Sequence, residues 1–129
     1  MTEEALKLNL VIKGRLSGLN EYTRACRNNK YAGAKLKKDN EKKVLAAILE
    51  YCQNIKIEKP VHITYKWFEQ NKRRDLDNIA FSKKYIQDAL VKSGVLQNDG
   101  WQHVTGFSDE FYIDKDNPRI EVEIKEVEK

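Results

Sequence analysis

Asp75-Leu76-Asp77-Asn78 follows the basic triplet Lys72-Arg73-Arg74 and opens a helical pattern. Two carboxylates one residue apart point the same way from an extended segment, because side chains there alternate with a period of two. Beside cationic side chains, such a pair suits a divalent metal held against a polyanion. A plainer reading competes: Asp77 or Asn78 caps the helix, and Asp75 is a solvated loop residue.

The helix that follows adds to the pair. At about 100° per residue, Asp77, Lys84 and Asp88 fall within about 40° of one another. Ile79, Ile86, Ala89 and Leu90 form an apolar stripe on another side, and Lys83 projects close to its edge. Periodicity therefore selects Lys84 as the lysine that faces the acidic cluster. Taken alone, Lys84–Asp88 is an i,i+4 pair worth roughly a few tenths of a kcal/mol. Asp99 lies beyond the helix in Asn98-Asp99-Gly100, a sequence that also makes an ordinary turn. Asp75, Asp77 and Asp99 together would suit Mg²⁺, which prefers hard oxygen ligands and can activate a bound water for attack on phosphorus.

The same four-letter pattern recurs at Asp114-Lys115-Asp116-Asn117. That copy precedes Pro118 and a strand, with no lysine two turns on, and reads as a hairpin turn. The motif acquires meaning only from its setting.

The elements that position these residues can be read from periodicity. Leu8–Leu16 reads as a strand, and Ser17–Ala34, poor in apolar anchors, as a long loop. Leu36–Ile55 carries Val44, Leu45, Ile48, Leu49 and Cys52 at helical spacing, with Pro60 punctuating its end. Val61–Phe68 is a β-branched and aromatic run, hence a second strand. Asn78–Ser93 is a second helix, stopped by Gly94. Strands follow around His103–Tyr112 and Arg119–Val127. The expected fold is α+β, a β-α-β-α-β-β mixed sheet with two helices packed on one face.

At 129 residues the chain has the size of a single domain, 1–129, with one core. The 40% apolar and 34% charged composition describes a soluble globular protein. No run reaches the length of a membrane span, and Met1-Thr2-Glu3-Glu4 lacks the start of a signal peptide, so a cytoplasmic location is expected. Cys26 and Cys52 have no metal-binding spacing, and His62 and His103 stand far apart, which argues against structural zinc or a disulfide. The net charge of +4 is unevenly spread. Arg24, Arg27, Lys30, Lys35, Lys37, Lys38, Lys42 and Lys43 crowd one stretch, whereas Glu121, Glu123, Glu126 and Glu128 dominate the end. Such asymmetry favours an anion-docking face, although a solvated surface would look the same.

Arg73-Arg74-Asp75-Leu76-Asp77-Asn78, a helix carrying a lysine and Asp88-Ala89-Leu90, then Gly94-Val95 and Asn98-Asp99 before a strand, together resemble the RusA family of Holliday junction resolvases, commonly carried by phages and prophages. The resemblance implies a small homodimeric endonuclease, dependent on Mg²⁺ or Mn²⁺, that cuts four-way DNA junctions symmetrically in recombination and repair. It implies no membrane and no small-molecule cofactor. The family's acidic positions match Asp75, Asp77 and Asp99, which would be catalytic and bind metal. Its functional lysine matches Lys84, with three extra residues between Asn78 and that lysine, and Lys83 is the alternative. The early segment Leu16–Tyr22 stands where relatives have a proline-containing segment ending in Asn, and Asn20 and Tyr22 are the expected substrate contacts there.

On this reading, metal-activated water hydrolyses the phosphodiester and Lys84 stabilises the developing charge, with Asp88 as support. Lys72, Arg73, Arg74, Arg24, Arg27 and Lys30 track the DNA backbone. The rival is a non-catalytic DNA-binding protein whose acidic residues are caps and turns. A nucleotide-sugar transferase is disfavoured, because the chain is too short for a nucleotide-binding domain and an acceptor site.

Overall fold

The apolar alternation at residues 61–69 builds the interior strand that organises the sheet. The computed structural model describes residues 6–127. Its elements run β1 (Lys7–Lys13), α1 (Leu19–Asn28), α2 (Lys30–Tyr51), β2 (Val61–Glu69), α3 (Leu76–Ala80), α4 (Lys83–Lys92), β3 (Val104–Ile113) and β4 (Arg119–Glu126). The sheet order is β1-β4-β2-β3. β4 is antiparallel to β1 and β2, and β3 is parallel to β2, so the sheet is mixed as expected.

Period-two patterning sets which face is covered. Leu8, Leu10 and Ile12 of β1, Val61, Ile63, Tyr65 and Trp67 of β2, and Ile120, Val122 and Ile124 of β4 are all buried. They form one cluster with Val44 and Ile48 of α2 and Tyr85, Ile86, Ala89 and Leu90 of α4. The opposite face is mixed, with Lys7 3.4 Å from Glu123, His62 Nε2 2.9 Å from Ser108 Oγ, and the Phe68 and Tyr112 rings stacked 4.8 Å apart. Cys52 is a buried core residue, and burial pushes its thiol pKa up.

Three features depart from the sequence reading. Residues 17–34, expected as a loop, form α1 and the start of α2. The Asn29 side chain accepts hydrogen bonds from the Tyr31 and Ala32 N–H groups at 3.0 and 2.8 Å, capping α2 well before Leu36. α1 buries none of its residues fully, and its apolar side is only the short stripe of Leu19, Tyr22 and Cys26. It packs closely on α2: a Cβ added at Gly33 would stand 2.5 Å from Cys26 Sγ.

The expected helix at 78–93 is divided into α3 and α4. Ser82 N–H bonds to Ile79, Lys84 N–H to Phe81 and Tyr85 N–H to Ser82, all three-residue spans of 3.0–3.1 Å. The buried Ser82 hydroxyl donates to the Ser17 carbonyl at 2.9 Å, fixing the break against the chain after β1. Such tightened turns advance about 120° per residue in place of about 100°, so the angular argument that favoured Lys84 does not carry across them.

Asp114–Asn117 turns the chain, but not between paired strands. β2 lies between β3 and β4, so the turn crosses the end of β2, where Asp114 N–H bonds to the Glu69 carbonyl at 2.8 Å. Asp114 itself is engaged by Arg119 at 2.8 Å, a hydrogen bond that holds its carboxyl below the ordinary value.

Candidate active site

The acidic segment leaves β2 through a clamp. Glu69 is buried at the strand end, and Arg74 grips it with two hydrogen bonds, Nε to Oε1 at 3.0 Å and a terminal nitrogen to Oε2 at 2.8 Å. The second terminal nitrogen donates to the Leu16 carbonyl at 3.1 Å. This bidentate geometry fixes the backbone one residue before Asp75. Asp75 occupies the N-cap position of α3, yet its side chain makes no capping bond. Asp77 Oδ1 accepts only the N–H of Asn78, at 2.9 Å.

Asn78 is the structural member of the motif. It is buried, and its Oδ1 accepts the Asn20 N–H at 2.9 Å, tying α3 to the start of α1. Gly18 leaves room for this contact, because a Cβ there would stand 2.5 Å from Asn78 Oδ1. Tyr22 packs over Phe81 with ring centroids 5.4 Å apart. Asn20 and Tyr22 are thereby placed beside the acidic segment, with Asn20 bound to it through its backbone.

Asp99 sits in the connection from α4 to β3. The turn is made by its neighbour: Asn98 Oδ1 accepts the Gly100 N–H at 3.0 Å. Asp75, Asp77 and Asp99 are all exposed, and none of the ion pairs among the described residues engages them.

The three carboxylates do not meet within one chain. Asp75 lines a groove with Leu76, Ile79, Phe111, Tyr112 and Ile113, at the C-terminal end of β3. Asp99 lines another with Gln87, Trp101, Val104 and Phe107, at its N-terminal end. At ~3.3 Å per residue the two grooves are about 20 Å apart along the strand. Among the described residues no group of three His, Cys, Asp or Glu side chains could hold a metal ion.

The two candidate lysines diverge. Lys84 is exposed, and its ammonium lies 3.4 Å from Asp88, which also takes Lys37 of α2 at 3.0 Å. Asp88 thus joins α4 to α2. Lys83 is half-buried on the β3 side: its ammonium is 2.5 Å from Asp109 Oδ2 and 3.9 Å from the Phe107 ring centroid. Asp109 also accepts the Trp67 indole N–H at 2.9 Å. Sequence reasoning missed Asp109. The available signal was its place between Phe107 and Phe111 in strand alternation, which puts a carboxylate on the helix-facing side.

The remaining cations divide similarly. Arg74 is committed to its clamp, whereas Lys72, Arg73, Arg24, Arg27 and Lys30 are exposed. Unpaired carboxylates on a chain that also exposes many cations are what a hydrolase of polyanionic backbones presents. The comparison with known families makes the class specific. A family model described as Endodeoxyribonuclease RusA matches residues 18–125. The chain belongs to the RusA family and is an endodeoxyribonuclease of the Holliday junction resolvase type. No curated protein is significantly similar to it.

Proposed function

We propose that the protein resolves four-way DNA junctions as a homodimer that uses a divalent cation, Mg²⁺ or Mn²⁺, and that each acidic centre is shared between two protomers. The observation that carries this reading is the placement of uncommitted Asp75 and Asp99 at opposite ends of β3. β3 is the terminal strand of the sheet, and its outer edge has no strand partner among the described residues. A two-fold axis across that edge would run the two β3 strands antiparallel. Asp75 and Asp77 would then stand beside Asp99 of the partner subunit.

The donor set suits the cation. Carboxylate oxygens are the ligands Mg²⁺ prefers, and one or two of them plus a substrate phosphate commonly complete its site. Asp75, Asp77 and Asp99 of the partner subunit would hold it. When bound, such an ion supplies a nucleophilic water at neutral pH and neutralises charge on the leaving oxygen. Arg74 and Glu69 keep the acidic segment in place, and Asn78 fixes its orientation against α1. Of the two lysines at the start of α4, we assign the scissile phosphate to Lys83, which stands on the β3 side with both grooves; Lys84 faces α2. Lys72, Arg73, Arg24, Arg27 and Lys30 track the backbone of the arms, and Asn20 and Tyr22 contact substrate near the acidic segment. Two such centres would serve the opposed strands of a junction.

The rival, a binding protein with acidic caps and turns, is disfavoured by what these side chains do. Asp75 makes no cap bond, and Asn98 makes the turn. Nicking of a synthetic four-way junction, measured with and without EDTA, tests the proposal. Cleavage is expected only with the metal, and Asp77→Asn should bind the junction without cutting it. Cleavage by Asp77→Asn in Mg²⁺ would remove this site assignment.

A further inference from the structure

We infer that Trp101 of each protomer inserts into the apolar groove beside Asp75 of the second copy, making the indole the anchor of the dimer; this rests on the dimeric reading above. Trp101 is 96% exposed, whereas the other tryptophan, Trp67, is buried. The turn that carries Trp101 is closed by hydrogen bonds. Gly100 N–H bonds to Asn98 Oδ1, and the Gly100 carbonyl accepts both His103 N–H at 3.0 Å and Val104 N–H at 2.9 Å. An indole held out in water forgoes the burial that ordinarily makes this side chain an interface anchor.

The receiving surface is at the far end of the same strand. Leu76, Ile79, Phe111, Tyr112 and Ile113 line a groove in which Leu76 is 57% and Ile113 49% exposed. A knob at one end of an unpaired edge strand and a hole at the other are self-complementary under a two-fold axis across that edge. Each knob then meets the partner's hole. Lys72 rims the groove and would meet the Asp99 that flanks Trp101, offsetting the like charge of Asp75 on the same rim. The pairing also brings each Asp99 toward the partner's Asp75 segment. A nucleobase stacked on Trp101 is the competing occupant.

The test measures oligomeric state by light scattering over a concentration series, with acrylamide quenching of tryptophan emission first without DNA and then with junction DNA added. The wild-type protein should dimerise, and Trp101 should become shielded as the dimer forms. Trp101→Ala and Ile113→Glu should each raise the dimer dissociation constant roughly thirtyfold or more, about 2 kcal/mol, with circular dichroism of the monomer unchanged. Ile113→Glu should leave Trp101 accessible at concentrations where the wild type shields it. A wild-type dimer whose affinity survives Trp101→Ala overturns the inference alone. A wild-type monomer at every concentration overturns the dimeric reading and the inference together. Shielding that appears only on adding junction DNA overturns it in favour of base stacking.

Discussion

Asp75 and Asp99 line grooves at opposite ends of the same edge strand, about 20 Å apart at ~3.3 Å per residue. Ligands of one small cation must lie far closer than that. A centre shared across a two-fold makes a sharp prediction for mixed dimers. Asp77→Asn and Asp99→Asn proteins, each inactive alone, should regain nicking when co-refolded. One centre of the heterodimer carries both substitutions and the other carries neither. Centres built within a single chain would leave the mixture inactive. The readout is nicking of a labelled junction, and a mixture no better than its components would sink the shared centre.

Lys83 and Lys84 are adjacent in sequence but serve opposite sides of α4. Lys83 is held between Asp109 and the Phe107 ring, and Lys84 beside Asp88. Lys83→Gln should lower single-turnover cleavage roughly a hundredfold, the effect of deleting one electrostatic stabiliser, while junction affinity changes little. Lys84→Gln should stay near the wild-type rate. The reverse ranking would return the role to Lys84.

How much of this was legible in the sequence differs by element. β2 was plain because alternate residues from Val61 to Trp67 are buried and the run is β-branched or aromatic. α1 was hidden because it buries no residue fully and its apolar side is short and sparse, Leu19, Tyr22 and Cys26 among polar residues, with the Asn29 cap at its junction with α2 as the other signal. The break at Ser82 comes from a tertiary bond to Ser17, which no local pattern contains. The acidic positions could be named from residue type and setting. Their separation could not, because it depends on β2 and β3 being parallel, with the two connections emerging at opposite ends. Asp109 was missed because a strand aspartate is ordinarily taken for a solvent-facing one.

Arg73 and Arg74 should fail in different assays. Arg73 is exposed, and as a phosphate contact its loss should weaken DNA binding uniformly across sequences and reduce the salt slope by about one. Arg74 is paired with buried Glu69, and both side chains are nearly inaccessible, at 11% and 9%. Arg74→Ala would strand that carboxylate and should cost about 3–5 kcal/mol of stability. Denaturant unfolding and binding titrations at several salt concentrations separate the two. Equal loss of stability in both variants would contradict the clamp.

Gly18 offers the most local test of how the acidic segment is held. Its backbone conformation is extended, open to any residue, so the argument for glycine is space alone. A methyl group would meet Asn78 Oδ1 at 2.5 Å and the Asn78 carbonyl oxygen at 2.8 Å. The second of these is backbone and cannot swing aside. Gly18→Ala should therefore displace the start of α1 from α3 and lose the Asn20 N–H bond to Asn78. The expected destabilisation is about 1–3 kcal/mol from overpacking. Cleavage should fall further than stability alone explains, because the displaced segment carries Asp75 and Asp77. Asn78→Ala in the Gly18→Ala background relieves the side-chain clash but not the backbone one, so it should restore neither stability nor cleavage. Recovery of both in the double variant would show that only the Asn78 side chain, and not the register of α3 against α1, limits this position.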